Sequence, residues 1–187
     1  MAETIKVLGI SGSLRKGSYN TALLHEASKL LPVGMELELY SLAAIPLYNA
    51  DLDNENPPEA VKQLRDHIRS ADALLIATPE YNYSIPGVLK NALDWASRPA
   101  QSSALNGKPL AMMGAGGLMG TSRAQYHLRQ VAVFTNMFPI NKPEIFVTYA
   151  SQKFDANGNL TDEVARQLIK DLLVALADWT RRLKAKP

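Results

Sequence analysis

The segment Gly12-Ser13-Leu14-Arg15-Lys16-Gly17-Ser18-Tyr19-Asn20 lies between an apolar run and a helical one, and its residue types suit one chemistry above others. Ahead of it, Ile5, Val7, Leu8 and Ile10 read as a buried strand. Behind it, Ala22, Leu23, Leu24, Ala27, Leu30 and Leu31 repeat at helical spacing until Pro32 and Gly34. A strand, a small-residue turn and a helix start gather unpaired backbone N–H groups at the positive end of a helix. Arg15 adds a planar, charged fork suited to phosphate oxygens, and Ser13, Ser18 and Asn20 can donate without bulk. The segment reads as a cradle for a phosphate dianion, against the plainer reading of a polar strand–helix turn. Gly12 and Gly17 have the glycine spacing of a nucleotide P-loop, but Ser18-Tyr19 stands where Lys-Ser/Thr belongs, and G-x-G-x-x-G is absent. A monophosphate is therefore the expected group.

The elements that must hold this turn alternate along the chain. Residues 35–40 alternate as a strand near a sheet edge, and residues 41–56 form a polar, proline-punctuated surface loop. Pro57-Pro58 opens a helix with Val61, Leu64, Ile68 and Ala71 on one face. Residues 73–78 are a continuous apolar run, the mark of a central parallel strand. A short helix over 87–96, a buried strand over 109–113, a helix over 121–136 and a last strand over 145–148 follow. Asn157-Gly158 marks a tight turn, and a long helix over 161–183 closes the chain with Thr161 as its cap. The alternation predicts a doubly wound α/β sandwich over residues 1–187 as one domain. In such sheets ligands sit beyond the carboxyl ends of the strands, where the strand order reverses.

Two further loops fall at that end. Pro79-Glu80-Tyr81-Asn82-Tyr83-Ser84-Ile85-Pro86 offers stiff backbone, aromatic faces and an amide; the alternative is a rigid turn with Tyr81 packed into the core. Gly114-Ala115-Gly116-Gly117-Leu118-Met119-Gly120 lets backbone approach a flat ligand closely. Together the three loops specify a monophosphate at one end of a ligand and a flat heterocycle at the other, a description that flavin mononucleotide (FMN) meets.

The first loop and the stretch Pro79-Glu80-Tyr81-Asn82-Tyr83-Ser84-Ile85-Pro86-Gly87-Val88-Leu89-Lys90-Asn91-Ala92-Leu93-Asp94-Trp95 resemble the NAD(P)H-dependent FMN reductase family, in its quinone/chromate-reductase branch. The resemblance continues through Arg123-Ala124-Gln125-Tyr126-His127-Leu128-Arg129 and Asn141-Lys142-Pro143-Glu144; the Gly114–Gly120 loop is its least typical part. It implies a flavodoxin-like three-layer fold, a five-stranded parallel sheet with helices on both faces. It also implies non-covalent FMN, and a homodimer or homotetramer with part of the flavin site near a subunit boundary. Carried over by position, Ser13, Arg15, Ser18, Tyr19 and Asn20 bind the phosphate. Pro79, Glu80, Tyr81, Asn82 and Tyr83 border the ring, and Gly114, Ala115 and Gly116 lie against its other edge. The implied reaction is ping-pong: hydride passes from NAD(P)H to FMN, and two electrons then reduce a small-molecule acceptor such as a quinone, azo or nitro compound, chromate or free flavin. No side chain is assigned as catalytic, and Glu80 is read as a loop-positioning residue.

Composition narrows the remainder. The 47% hydrophobic and 20% charged content is that of an ordinary globule, and no cysteine is available for disulfides, thiolate ligands or thiol catalysis. A net charge of +2 with scattered lysines and arginines argues against nucleic acid, and no apolar run is long enough to span a membrane or resembles a signal peptide. A cytoplasmic protein is expected. His25, His67 and His127 fall on different helices, so no metal site is expected. Trp95 and Trp179 read as packing residues, and Tyr126 with Arg129 as an interface patch or a solvated face. A flavodoxin-like electron carrier is the alternative function, which the near balance of charge disfavours. An FMN-free scaffold and a reductase of free FMN are the other variants.

Overall fold

The computed structural model describes residues 4–185. In chain order it contains β1 (Ile5–Ser11), α1 (Tyr19–Lys29), β2 (Met35–Tyr40), α2 (Glu59–Ser70), β3 (Ala73–Ala77), α3 (Gly87–Ala96) and β4 (Pro109–Ala115). After these come α4 (Ser122–Phe134), β5 (Phe138–Pro139), β6 (Ile145–Val147) and α5 (Glu163–Lys184). The strands are parallel in the order β2-β1-β3-β4-β5, with β6 also paired to β4. β5 and β6 are thus two short pieces of the fifth strand position, lying along the lower and upper parts of β4. This is the flavodoxin-like order, and it reverses between β1 and β3.

The period-2 alternation of buried strands sorts the core into two layers. In β3, Ala73, Leu75 and Ala77 join Leu23 and Leu24 of α1 and Ile169, Leu172 and Leu176 of α5 on one face. Leu74 and Ile76 join Leu64 and Ile68 of α2, Leu89 and Leu93 of α3 and Leu128 of α4 on the other. All five β3 residues are buried, as a continuous apolar run requires. Trp95 is fully buried, donating its indole N–H to the Pro46 carbonyl at 2.8 Å, while Trp179 packs partly buried along α5.

Most boundaries differ from the sequence reading by one or two residues, and two of the differences have a clear cause. The closing helix is capped by Asp162, whose carboxylate accepts from the Ala165 N–H at 2.7 Å; the Thr161 hydroxyl donates instead to the Lys153 carbonyl. A charged acceptor at the helix start is the stronger cap. β4 runs two residues past Met113, because Gly114 and Ala115 continue the ladder to β6.

At the amino ends of the strands, Asp72 joins three elements. It accepts from the Lys6 N–H at 2.8 Å and pairs with Lys184 at 2.7 Å, while the Lys108 ammonium donates to the Arg69 and Ala71 carbonyls. Burial raises the Asp72 pKa, but the bonds from Lys184 and Lys6 and the charges of Lys184 and Lys108 outweigh it, leaving the carboxyl below its usual range.

Candidate flavin site

β1 delivers the chain to Ser11 at the carboxyl edge, and Ser18 starts α1, its hydroxyl accepting from the Thr21 N–H at 3.5 Å. Between them Gly17 turns the chain with φ +64°, a conformation that favours glycine. The loop is braced from within. Ser11 and Thr21 hydroxyls meet at 2.8 Å, the Ser13 N–H donates to Ser11 at 3.3 Å, and the Arg15 N–H donates to Ser13 at 3.3 Å. Left open are the N–H groups of Leu14, Lys16, Gly17, Tyr19 and Asn20, which donate to no acceptor among the described residues. Arg15 is exposed, lies 5.5 Å from the Tyr19 ring centroid, and has no carboxylate partner among the described residues. A cation beside several open donors at a helix N-terminus is the donor set a phosphate monoester requires.

The second loop is pinned to α4. Glu80, its side chain 9% exposed, accepts from the backbone N–H of Arg123 at 3.0 Å and of Ala124 at 3.2 Å, and from Arg123 Nε at 2.5 Å. Thr121, the residue at the cap position of α4, makes no side-chain cap bond, so a carboxylate from 43 residues upstream supplies the cap. The Arg123 guanidinium also lies 3.7 Å from the Tyr83 ring centroid, and His127 Nδ1 meets the Ser84 hydroxyl at 3.0 Å. Within the loop, Tyr81 and Ser84 exchange two backbone bonds of 3.0 Å, and Asn82 and Tyr83 adopt φ of 50° and 66°. Consecutive non-glycine residues in that region are strained, and the clamp to α4 is what holds them. Pro79 is buried beneath the loop. Tyr81 and Tyr83 are 51% and 66% exposed, so the reading of Tyr81 as a core residue is overturned.

The third loop is tied to the first. The Asn20 side chain donates to the Ala115 carbonyl at 3.1 Å and accepts from its N–H at 2.9 Å. The amide oxygen and one amide N–H are thereby engaged, leaving the second amide N–H and the backbone N–H of Asn20 without an acceptor among the described residues. Gly114 and Ala115 are buried inside β4, and Gly116 donates to the Val147 carbonyl at 3.0 Å. Gly114 permits a close approach: a Cβ there would stand 1.9 Å from Thr121 Oγ1 and 2.5 Å from the Thr78 carbonyl. Among the described residues, open donors occur instead at Leu118 and Met119, the exposed tip of the loop beside the Gly117–Gly120 bridge. Sequence reasoning singled out the loop but not this end of it, since glycine spacing does not tell which N–H groups the neighbouring strand consumes. Tyr126 is exposed, whereas Arg129 donates to the Ile140 carbonyl at 3.0 Å within the chain.

Three loops after β1, β3 and β4 therefore meet at one edge, with open donors on the first and third and exposed aromatic rings on the second. The model of the NADPH-dependent FMN reductase family matches residues 5–152. The chain belongs to this family. Its cofactor is FMN and its electron donor a reduced nicotinamide nucleotide. The chain is 57% identical over 185 residues to an NAD(P)H-dependent FMN reductase of Pseudomonas aeruginosa, covering 98% of this chain and 100% of that one. It is 42% identical to a quinone reductase of Escherichia coli, covering 98% and 100%. Among solved structures it superposes on the flavoenzyme NAD(P)H:(acceptor) oxidoreductase FerB of Paracoccus denitrificans with a TM-score of 0.87 at 35% identity, covering 96% and 98%.

Proposed function

We propose that this chain is an NAD(P)H-dependent FMN oxidoreductase that passes electrons to quinone-like acceptors, working in alternation on donor and acceptor. The observation that carries the proposal is the donor set of the first loop: the open N–H groups of Leu14, Lys16, Gly17, Tyr19 and Asn20 beside Arg15, which has no carboxylate partner among the described residues. Bound FMN supplies two-electron hydride acceptance and release. The chain's residues supply position. Arg15 and the open N–H groups, with the Ser13 and Ser18 hydroxyls, would hold the phosphate. Pro79, Glu80, Tyr81, Asn82 and Tyr83 would border the ring, with Tyr81 and Tyr83 as its aromatic faces. Gly114, Ala115 and Gly116 would set the height of the opposite wall, and the N–H groups of Leu118 and Met119 would meet the polar ring edge. Glu80, engaged by three donors, is a positioning residue rather than an acid.

The proteins named as quinone reductases in Escherichia coli and NAD(P)H:quinone oxidoreductase in Solanum tuberosum support the acceptor class. A homodimer or homotetramer is part of the same reading, supported by exposed Tyr81, Tyr83, Leu118 and Tyr126 around the loops. So is a cytoplasmic location, in keeping with a chain that has no cysteine and whose described helices are all too short or too polar to cross a membrane. The test is an anaerobic absorbance titration of FMN-loaded protein with NADPH and then NADH, followed by a quinone. Loss of the flavin band and its return on adding quinone are expected. A bound flavin that neither nucleotide bleaches would replace this reading with that of an electron carrier.

A further inference from the structure

On the β2 side of the phosphate loop, away from the loops after β3 and β4, lies a cavity of about 300 Å³. Its floor is apolar, formed by Leu24 of α1 together with Leu39 and Leu42 at the end of β2. Its rim carries Arg15, Lys16 and the His25 imidazole. No aspartate or glutamate lines it. None of the three rim side chains has a carboxylate partner among the described residues, although ion pairs are frequent elsewhere on this surface. The same three residues border a second cavity of about 390 Å³ on the outer side of α1, so their field reaches both sides of the loop. An apolar floor under a rim of charge-assisted donors is the form of a site for a flat, phosphorylated ligand, and the volume lies at the small end of the usual range.

The phosphate loop supplies open N–H groups and Arg15 for one phosphate; Lys16 and His25 remain for another. Basic side chains accommodate a phosphate by charge and hydrogen bonding, whereas a carboxylate in the same place repels it. Here the end of β2 opens onto Lys16 and the His25 imidazole without a carboxylate. Strands spaced about 4.8 Å apart put this cavity about 10–15 Å across the sheet from the loops after β3 and β4, a span an extended dinucleotide covers.

We propose that the cavity between α1 and the end of β2 receives the phosphorylated adenosine half of the reduced nucleotide. Its base lies on Leu24, Leu39 and Leu42, and its 2′-phosphate lies between Lys16 and His25, favouring NADPH over NADH. The assignment rests on the function proposed above, and flavin binding is read separately in the same samples.

The experiment is isothermal titration of adenosine 2′,5′-bisphosphate and of 5′-AMP into the protein, with and without FMN. The bisphosphate is expected to bind alongside FMN and at least ten-fold more tightly than 5′-AMP. Lys16→Ala with His25→Ala should weaken it at least ten-fold and raise the KM for NADPH by a larger factor than it weakens FMN, and His25→Ala alone, outside the phosphate loop, should show the same direction on the bisphosphate. Leu39→Trp, which fills the floor, should weaken both nucleotides. The proposal is overturned if the bisphosphate displaces FMN, fails to bind, or binds the double variant as tightly as the parent. A protein that takes the bisphosphate as predicted but no FMN would leave the cavity standing and remove the flavin reading.

Discussion

Glu80 and Arg123 offer the most direct test of how the site is held. The Glu80 carboxylate makes two bonds to the first turn of α4 and one to the Arg123 side chain. A hydrogen bond to a charged acceptor contributes about 1.5–3 kcal/mol, and the charge at the helix start about 0.3–1 kcal/mol. The Arg123 side chain is 38% exposed, so solvent screens its ion pair to about 0.5–1 kcal/mol. Glu80→Gln keeps an acceptor oxygen but not the charge, and should cost about 1–2 kcal/mol. Glu80→Ala strands two N–H groups and should cost about 3–4 kcal/mol. With a urea slope of about 2 kcal/mol per molar, Glu80→Gln then lowers the unfolding midpoint by about 0.5–1 M. Release of the strained pair Asn82 and Tyr83 should also weaken FMN binding about ten-fold, equal to about 1.4 kcal/mol. The assay is a double-mutant cycle with Arg123→Ala, followed by fluorescence in urea and by FMN titration. Strictly additive effects of the two substitutions on both readouts would refute the clamp.

Arg15→Ala should reduce FMN affinity more than ten-fold, through loss of a charge-assisted contact of about 1.5–3 kcal/mol, without lowering the urea midpoint; flavin retention equal to the parent's on dialysis would contradict the phosphate assignment. Gly114→Ala forces a methyl group against Thr121 and the Thr78 carbonyl and should cost about 1–3 kcal/mol, seen as a lower Tm; an unchanged Tm would show that the wall between the first and third loops yields. The Asp72 carboxyl titrates below its unfolded value of about 3.9, so its stabilisation is complete above that pH and lost as pH falls through the folded value. Asp72→Asn should therefore flatten the acid limb of stability against pH while lowering stability at neutrality, and an unaltered acid limb would count against the Asp72 cluster.

Local pattern carried the fold a long way. The apolar run of β3 and the Pro86-Gly87 start of α3 each encode their element within a few residues, and both appear where the pattern puts them. What local pattern does not carry is who consumes which donor. The Asn20 amide also ties the first loop to Ala115, 95 residues away, a contact that local spacing does not announce. Glu80 caps a helix that begins 42 residues later, and no local capping signature marks it. The two-piece fifth strand was equally hidden, because Phe138-Pro139 is too short to show any period and Asn141–Glu144 interrupts what a longer strand would need. The identity of the loops was legible; their internal wiring depends on contacts between distant parts of the chain.

That interrupted fifth strand bears on how the molecule behaves in a crowd. A parallel sheet ends in two rows of unpaired backbone groups, and a long flat row is a template for another chain. Here one boundary is broken into pieces of two and three residues, and the other, β2, carries Glu36 and Glu38. Neither side offers an uninterrupted, uncharged ribbon to a neighbour. The sheet is protected from growing by addition of a neighbour's strand.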